Sequence, residues 1–136
     1  NKIKVPLIIM NGDLLTKINF KSLLEYHYEH DGIATMCVRE YDFQVPFGVV
    51  QVKEQFVSTI IEKPVQKFLV NAGIYVLNPE AISVIDGKEY LDMTNFLESQ
   101  IKIGKKISTF PLYEYWLDIG MMDEYEMAHK HFAQDL

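Results

Sequence analysis

The amino-acid sequence predicts an α/β fold on a mixed sheet, and three observations point to it. A short apolar run, Val5-Pro6-Leu7-Ile8-Ile9-Met10, stops at the polar turn Asn11-Gly12-Asp13, the pattern of a strand buried on both faces. A helical pattern and a second strand follow within about forty residues, the proportions of a right-handed crossover unit. Two β-rich runs in the middle of the chain, parted by a few polar residues, then predict an antiparallel hairpin. The composition suits such a core: 49% of the 136 residues are hydrophobic and 24% charged, and a chain of this size buries roughly two-thirds of its unfolded surface.

Each element has its own signal. Asn19 caps a helix in which Phe20, Leu23, Leu24 and His27 recur at helical spacing, with Gly32 placed as a left-handed terminator. Ile33 to Arg39 reads as the second strand. Phe47-Gly48-Val49-Val50-Gln51-Val52 and Phe56-Val57-Ser58-Thr59-Ile60-Ile61 form the hairpin around Lys53-Glu54-Gln55. Phe68 to Leu77 is a further strand broken at Asn71-Ala72-Gly73, and Pro79 opens a short helix ending near Ile85. Thr94 is placed to cap a helix through Phe96, Leu97 and Ile101 that ends at Gly104, after which Ile107 to Trp116 returns to strand and Asp118 follows. From Met121 onward, Met122, Tyr125, Met127, Ala128, His129 and Phe132 predict a final amphipathic helix. With no linker, repeat or low-complexity segment, residues 1–136 are expected to belong to one domain.

Charge and cysteine content narrow the function. Thirteen basic against nineteen acidic residues give a net charge of −6, and no block of Lys/Arg stands clear of acidic neighbours. Nucleic acid and a membrane surface are therefore not expected partners. The apolar runs fall far short of the ~20 residues needed to span a bilayer. Cys37 is the single cysteine, so no intrachain disulfide forms and a cytoplasmic setting is expected. His27 and His30 lie three apart without a companion Cys or His cluster, which favours core packing or helix-end pairing over a metal site. Cys37 on its apolar strand reads as a small buried hydrophobe. The absence of G-x-S-x-G, G-x-x-x-x-G-K-[ST] and G-x-G-x-x-G removes the main support for serine hydrolase, P-loop and dinucleotide-binding readings.

The remaining candidates for chemistry sit at strand ends. Asp13 lies beyond the first strand, where open α/β sheets place ligands. A carboxylate there can hold a divalent cation or simply stabilise a turn. Asp118 repeats the arrangement in Trp116-Leu117-Asp118-Ile119-Gly120, with helix capping as its alternative. In Glu62-Lys63-Pro64, Lys63 offers a point charge to a phosphate and Glu62 an acceptor for hydroxyls, although surface Glu-Lys pairs are ordinarily just solvated. Asn71-Ala72-Gly73 and Gly48 admit either a strand irregularity or close approach of a ligand to the backbone.

In chain order, Asn11-Gly12-Asp13, Phe47-Gly48-Val49-Val50, Glu62-Lys63-Pro64, Asn71-Ala72-Gly73-Ile74-Tyr75-Val76 and Tyr115-Trp116-Leu117-Asp118-Ile119-Gly120 resemble the sugar-1-phosphate nucleotidylyltransferase family over nearly the whole chain. The resemblance implies a Rossmann-like nucleotide-diphospho-sugar transferase fold, with a mixed, mostly parallel sheet flanked by helices. It further implies that a nucleoside triphosphate and a sugar 1-phosphate give a nucleotide sugar and pyrophosphate, with Mg2+ as cofactor. Carried over by position, Asp13 and Asp118 are the metal-binding carboxylates and Lys63 joins them as a catalytic residue. Gly48, Glu62, Lys63, Asn71, Gly73, Tyr75 and Trp116 bind the sugar phosphate.

The Gly-rich nucleotide loop of that family has no counterpart in these residues. The chain is therefore expected to be the sugar-phosphate-binding portion of a domain truncated at its N-terminus, inactive alone, and open to self-association through an exposed sheet edge. Two other functions share the pattern. A non-catalytic regulatory or ligand-sensing relative would keep the pocket without the chemistry, and a metal-dependent glycosyltransferase would carry Asp-x-Asp where this chain has Asn11-Gly12-Asp13.

Overall fold

Apolar strands that end at polar turns need helices to cover both of their faces, and the larger part of the chain is built that way. The computed structural model describes residues 2–120 together with Glu126 and Lys130, so the helix expected from Met121 onward falls largely outside the described residues. The chain divides into two compact units, Asn1–Val38 with Asn71–Leu136, and Arg39–Val70. No helix among the described residues is long and apolar enough to cross a membrane.

The elements run β1 (Leu7–Met10), β2 (Leu14–Thr16), α1 (Phe20–Glu29), β3 (Ala34–Gln44), β4 (Val49–Lys53), β5 (Phe56–Ile61), β6 (Val65–Leu77), α2 (Pro79–Ser83), α3 (Met93–Lys102), β7 (Ile107–Pro111) and β8 (Trp116–Asp118). A four-stranded sheet has the order β1-β6-β3-β7. β1 runs antiparallel to β6 and β3 parallel to β7, so the sheet is mixed as expected.

Alternation along β6 sorts the core onto the two faces. Ala72, Ile74 and Val76 join Leu14, Leu23 and Cys37 in one cluster, beneath α1. Tyr75 and Leu77 join Ala81, Phe96 and Leu97 in the other, beneath α2 and α3. Asn19 caps α1 as expected, its side-chain oxygen accepting from the Ser22 N–H at 3.1 Å. His27 is a buried core histidine: one ring nitrogen lies 2.8 Å from the Thr35 hydroxyl and the other 2.7 Å from the Asn78 side-chain oxygen.

Several expectations change. β1 starts at Leu7 and is half-buried, because it forms an edge of the four-stranded sheet. Gly32 does not take a left-handed conformation. Its Cβ position lies 2.7 Å from the Ala34 carbonyl oxygen and 2.8 Å from the Ser108 hydroxyl, so crowding explains the glycine there. Asp92, not Thr94, caps α3, accepting from the Asn95 N–H at 3.1 Å. The strand expected over Ile107 to Trp116 is two, β7 and β8, and they belong to different sheets. β6 is continuous through Asn71-Ala72-Gly73, with Gly73 at φ +73° absorbing the irregularity.

In the smaller unit β4 and β5 form the expected hairpin, with a register shift at Gln51/Val52 and Glu54 at φ +59° in its turn.

Candidate active site

A three-residue strand that the sequence pattern does not show assembles the acidic site. β2 begins directly after Asp13 and pairs antiparallel with β8, which puts Leu14 opposite Asp118. The Ile119 N–H donates to the Asp13 carbonyl at 2.8 Å, so the ladder continues past the strand ends. Two acidic residues 105 positions apart in sequence thereby flank one backbone crossing.

Gly120 completes the arrangement. A Cβ built on it would lie 3.0 Å from Asp118 Oδ1 and 3.1 Å from Asp13 Oδ2. Both carboxylate oxygens therefore approach one point, and they are at most about 6 Å apart. Asp118 Oδ1 also accepts the Gly120 N–H at 2.9 Å, which fixes its direction.

This donor set fits Mg2+. Both groups are hard carboxylate oxygens, and the space between them is one that only a missing Cβ leaves free. No cluster of three or more His, Cys, Asp and Glu occurs among the described residues. Two protein carboxylates agree with the preference of Mg2+ for a site completed by waters and substrate phosphates.

A second constellation in the same unit surrounds the bend in β6. Asn71 accepts the Gly73 N–H at 2.8 Å through its side-chain oxygen and donates to the Tyr75 hydroxyl at 2.6 Å. Asn71 thus spends on the bend two of the groups that were expected to face a sugar. Trp116 Nε1 donates to the Ala72 carbonyl at 2.8 Å, tying β8 to the same bend. The bare Cα of Gly73 makes room for Asn11, whose amide nitrogen lies 2.6 Å from the position a Cβ would take there.

Asn71 and Tyr75 line a cleft of about 420 Å³ with Asn11, Tyr90, Asp92 and Thr94. That volume lies in the range of small-molecule sites. Asn11 and the 90–94 segment were not singled out as lining residues. Residues 90–92 lie in the connection from α2 to α3 and residues 93–94 open α3, and the hydroxyl and carboxyl groups of Tyr90, Asp92 and Thr94 are the sequence signal for this wall.

In the smaller unit, Glu62 Oε2 lies 3.2 Å from where a Cβ on Gly48 would fall, so these two expected residues are neighbours. Lys63 sits in the turn between β5 and β6 at φ +43°, its N–H donating to the Phe47 carbonyl at 3.3 Å. Its carbonyl accepts from the Gln44 side chain at 3.3 Å. The ammonium group makes no ion pair among the described residues.

Cys37 is inert by environment. Burial, with a smaller contribution from the nearby Glu114 carboxylate, pushes its thiol up to about 12 from 9.0. The native protein is expected to resist alkylation by iodoacetamide at pH 8 until it is unfolded; full labelling without denaturant would contradict this. Because the folded value is the higher one, the thiol's contribution to stability is fully present below pH 9.0 and is lost as pH rises toward 12.

Mannose-1-phosphate guanyltransferase of Pichia angusta is 31% identical over 134 residues, covering 91% of this chain and 35% of that protein. Mannose-1-phosphate guanyltransferase 2 of Candida glabrata is 29% identical over 137 residues, covering 96% and 37%. The chain therefore spans about a third of the length of these curated relatives. The crystal structure of HddC from Yersinia pseudotuberculosis superposes with a TM-score of 0.65 at 24% identity, over 94% of this chain and 56% of that one, and shares its fold. The sequence profile of the nucleotidyl transferase family matches residues 1–135, and the chain belongs to that family.

Proposed function

We propose that this chain supplies the sugar-phosphate-binding portion of a sugar-1-phosphate nucleotidylyltransferase, with GTP and mannose 1-phosphate as the first substrate pair to test. The observation that carries the reading is the convergence of Asp13 and Asp118 on one point beside Gly120. Family membership and the names of the relatives support it.

In this reaction a phosphate oxygen of the sugar 1-phosphate attacks the α-phosphorus of the triphosphate. The bond from that phosphorus to the bridging oxygen breaks and pyrophosphate leaves, so no covalent enzyme intermediate is needed. The obstacle is repulsion between two anions, which the net charge of −6 makes worse. Asp13 and Asp118 would hold Mg2+, which when bound neutralises phosphate charge and polarises a phosphoryl oxygen.

Lys63 offers its ammonium to the sugar phosphate. The absence of an ion pair to it among the described residues supports that role, and so does its positive φ, a conformation costing on the order of 1 kcal/mol that tends to collect at functional sites. Glu62, beside Gly48, accepts from sugar hydroxyls. Asn71 and Trp116 hold the β6 bend rigid, and Gly73 brings its backbone toward the substrate. Tyr75 joins Asn11, Tyr90, Asp92 and Thr94 in a wall of polar groups suited to a sugar ring. The β1 edge offers a route to self-association by strand addition.

The test is pyrophosphate release by the full-length protein with each common triphosphate and with mannose or glucose 1-phosphate. Release that requires both substrates and Mg2+ is expected. No release with any pair would overturn the reading.

A further inference from the structure

We propose that Gly120 is the positioning residue of the carboxylate pair: its missing side chain keeps open the space in which Asp13 and Asp118 share a cation. The inference rests on the cation role proposed above and concerns a residue that has no side chain of its own. A Cβ at this position would sit 3.0 Å from Asp118 Oδ1 and 3.1 Å from Asp13 Oδ2, closer than carbon and oxygen rest in ordinary contact. One methyl group would therefore press on both carboxylates at once.

Among the described residues, nothing else about the position calls for glycine. Gly120 does not have a positive φ, so alanine fits its backbone. Alanine also keeps the N–H that donates to Asp118 Oδ1 at 2.9 Å. Gly12 provides the contrast, since it has no positive φ and a Cβ there meets nothing within 4 Å.

Displacing two oxygens by a few tenths of an ångström has a cation-specific consequence. Mg2+ demands near-ideal octahedral geometry at about 2.0–2.1 Å, whereas Ca2+ accepts irregular sites at about 2.3–2.6 Å. Gly120→Ala should therefore weaken Mg2+ more than Ca2+, a change of selectivity that general destabilisation would not produce.

The experiment uses the full-length protein. Bound Mn2+ is followed by water-proton relaxation, with Mg2+ and Ca2+ as competitors, and thermal unfolding is recorded for each variant. Gly120→Ala is expected to lower Mg2+ affinity about tenfold and Ca2+ affinity about two- to threefold. Gly12→Ala should keep both affinities within about twofold of wild type. Equal losses for the two cations, or no loss, in Gly120→Ala would overturn the role of Gly120. Absence of Mn2+ binding in the wild type, or undiminished binding in Asp118→Asn, would instead overturn the cation site on which the inference rests.

Discussion

Asp118→Asn in the full-length protein is expected to lower nucleotidyl transfer at least about a hundredfold, and Asp13→Asn to do the same. Each change replaces a charged oxygen donor by a neutral amide of nearly the same shape, so the β2–β8 crossing should survive. The Ile119 N–H still reaches the carbonyl of residue 13, since that bond uses only backbone atoms. Because the two oxygens approach one point, the variants should not be independent. Once one carboxylate is gone, the second has little left to hold. The double variant is therefore expected to lose no more than the worse single one, whereas full additivity would indicate two separate roles. Steady-state rates over a range of Mg2+ concentration measure this, with near wild-type rates in both single variants as the contradicting result.

Lys63→Ala should act on one substrate. Losing a charge-assisted contact to a phosphate corresponds to about 1.5–3 kcal/mol, or roughly a ten- to hundredfold rise in KM for the sugar 1-phosphate. KM for the triphosphate should stay within about twofold, because the proposed contact is with the other anion. Lys63→Arg keeps the charge and should recover part of the loss. The turn itself depends on backbone groups, the Lys63 N–H to Phe47 and the Lys63 carbonyl to Gln44, and both remain in these variants. Equal rises in KM for both substrates would remove Lys63 from the sugar-phosphate role.

Much of this architecture was legible because it is encoded locally. Asn19 before an amphipathic run predicts α1 and caps it. The apolar run ending at Met10 and the polar Lys53-Glu54-Gln55 between two β-branched runs predict β1 and the β4–β5 hairpin within a few residues. Thr94 was expected to cap α3, and Asp92, two residues earlier, does so instead. Both are good capping residues, and the bond to the Asn95 N–H settles it.

What sequence spacing could not show is long-range pairing. β2 is only three residues long, too short for an alternation to register, and its partner β8 lies about a hundred residues away. That pairing brings two acidic strand ends to one point beside Gly120. Asp13 and Asp118 could be named individually from their strand-end placement, yet their convergence beside Gly120 is visible only in three dimensions. The part of the cleft wall from Tyr90 to Asp92 was hidden for the opposite reason, since an aperiodic connection carries no pattern to read, and Thr94 was read only as a helix cap.

Anomalous diffraction from crystals of the full-length protein grown with Mn2+ in place of Mg2+ is the most direct test of the central claim. A single anomalous peak bonded to oxygens of both Asp13 and Asp118, beside Gly120, is the expected result. A cation bound to one carboxylate without the other, or held elsewhere while both remain unligated, would contradict it.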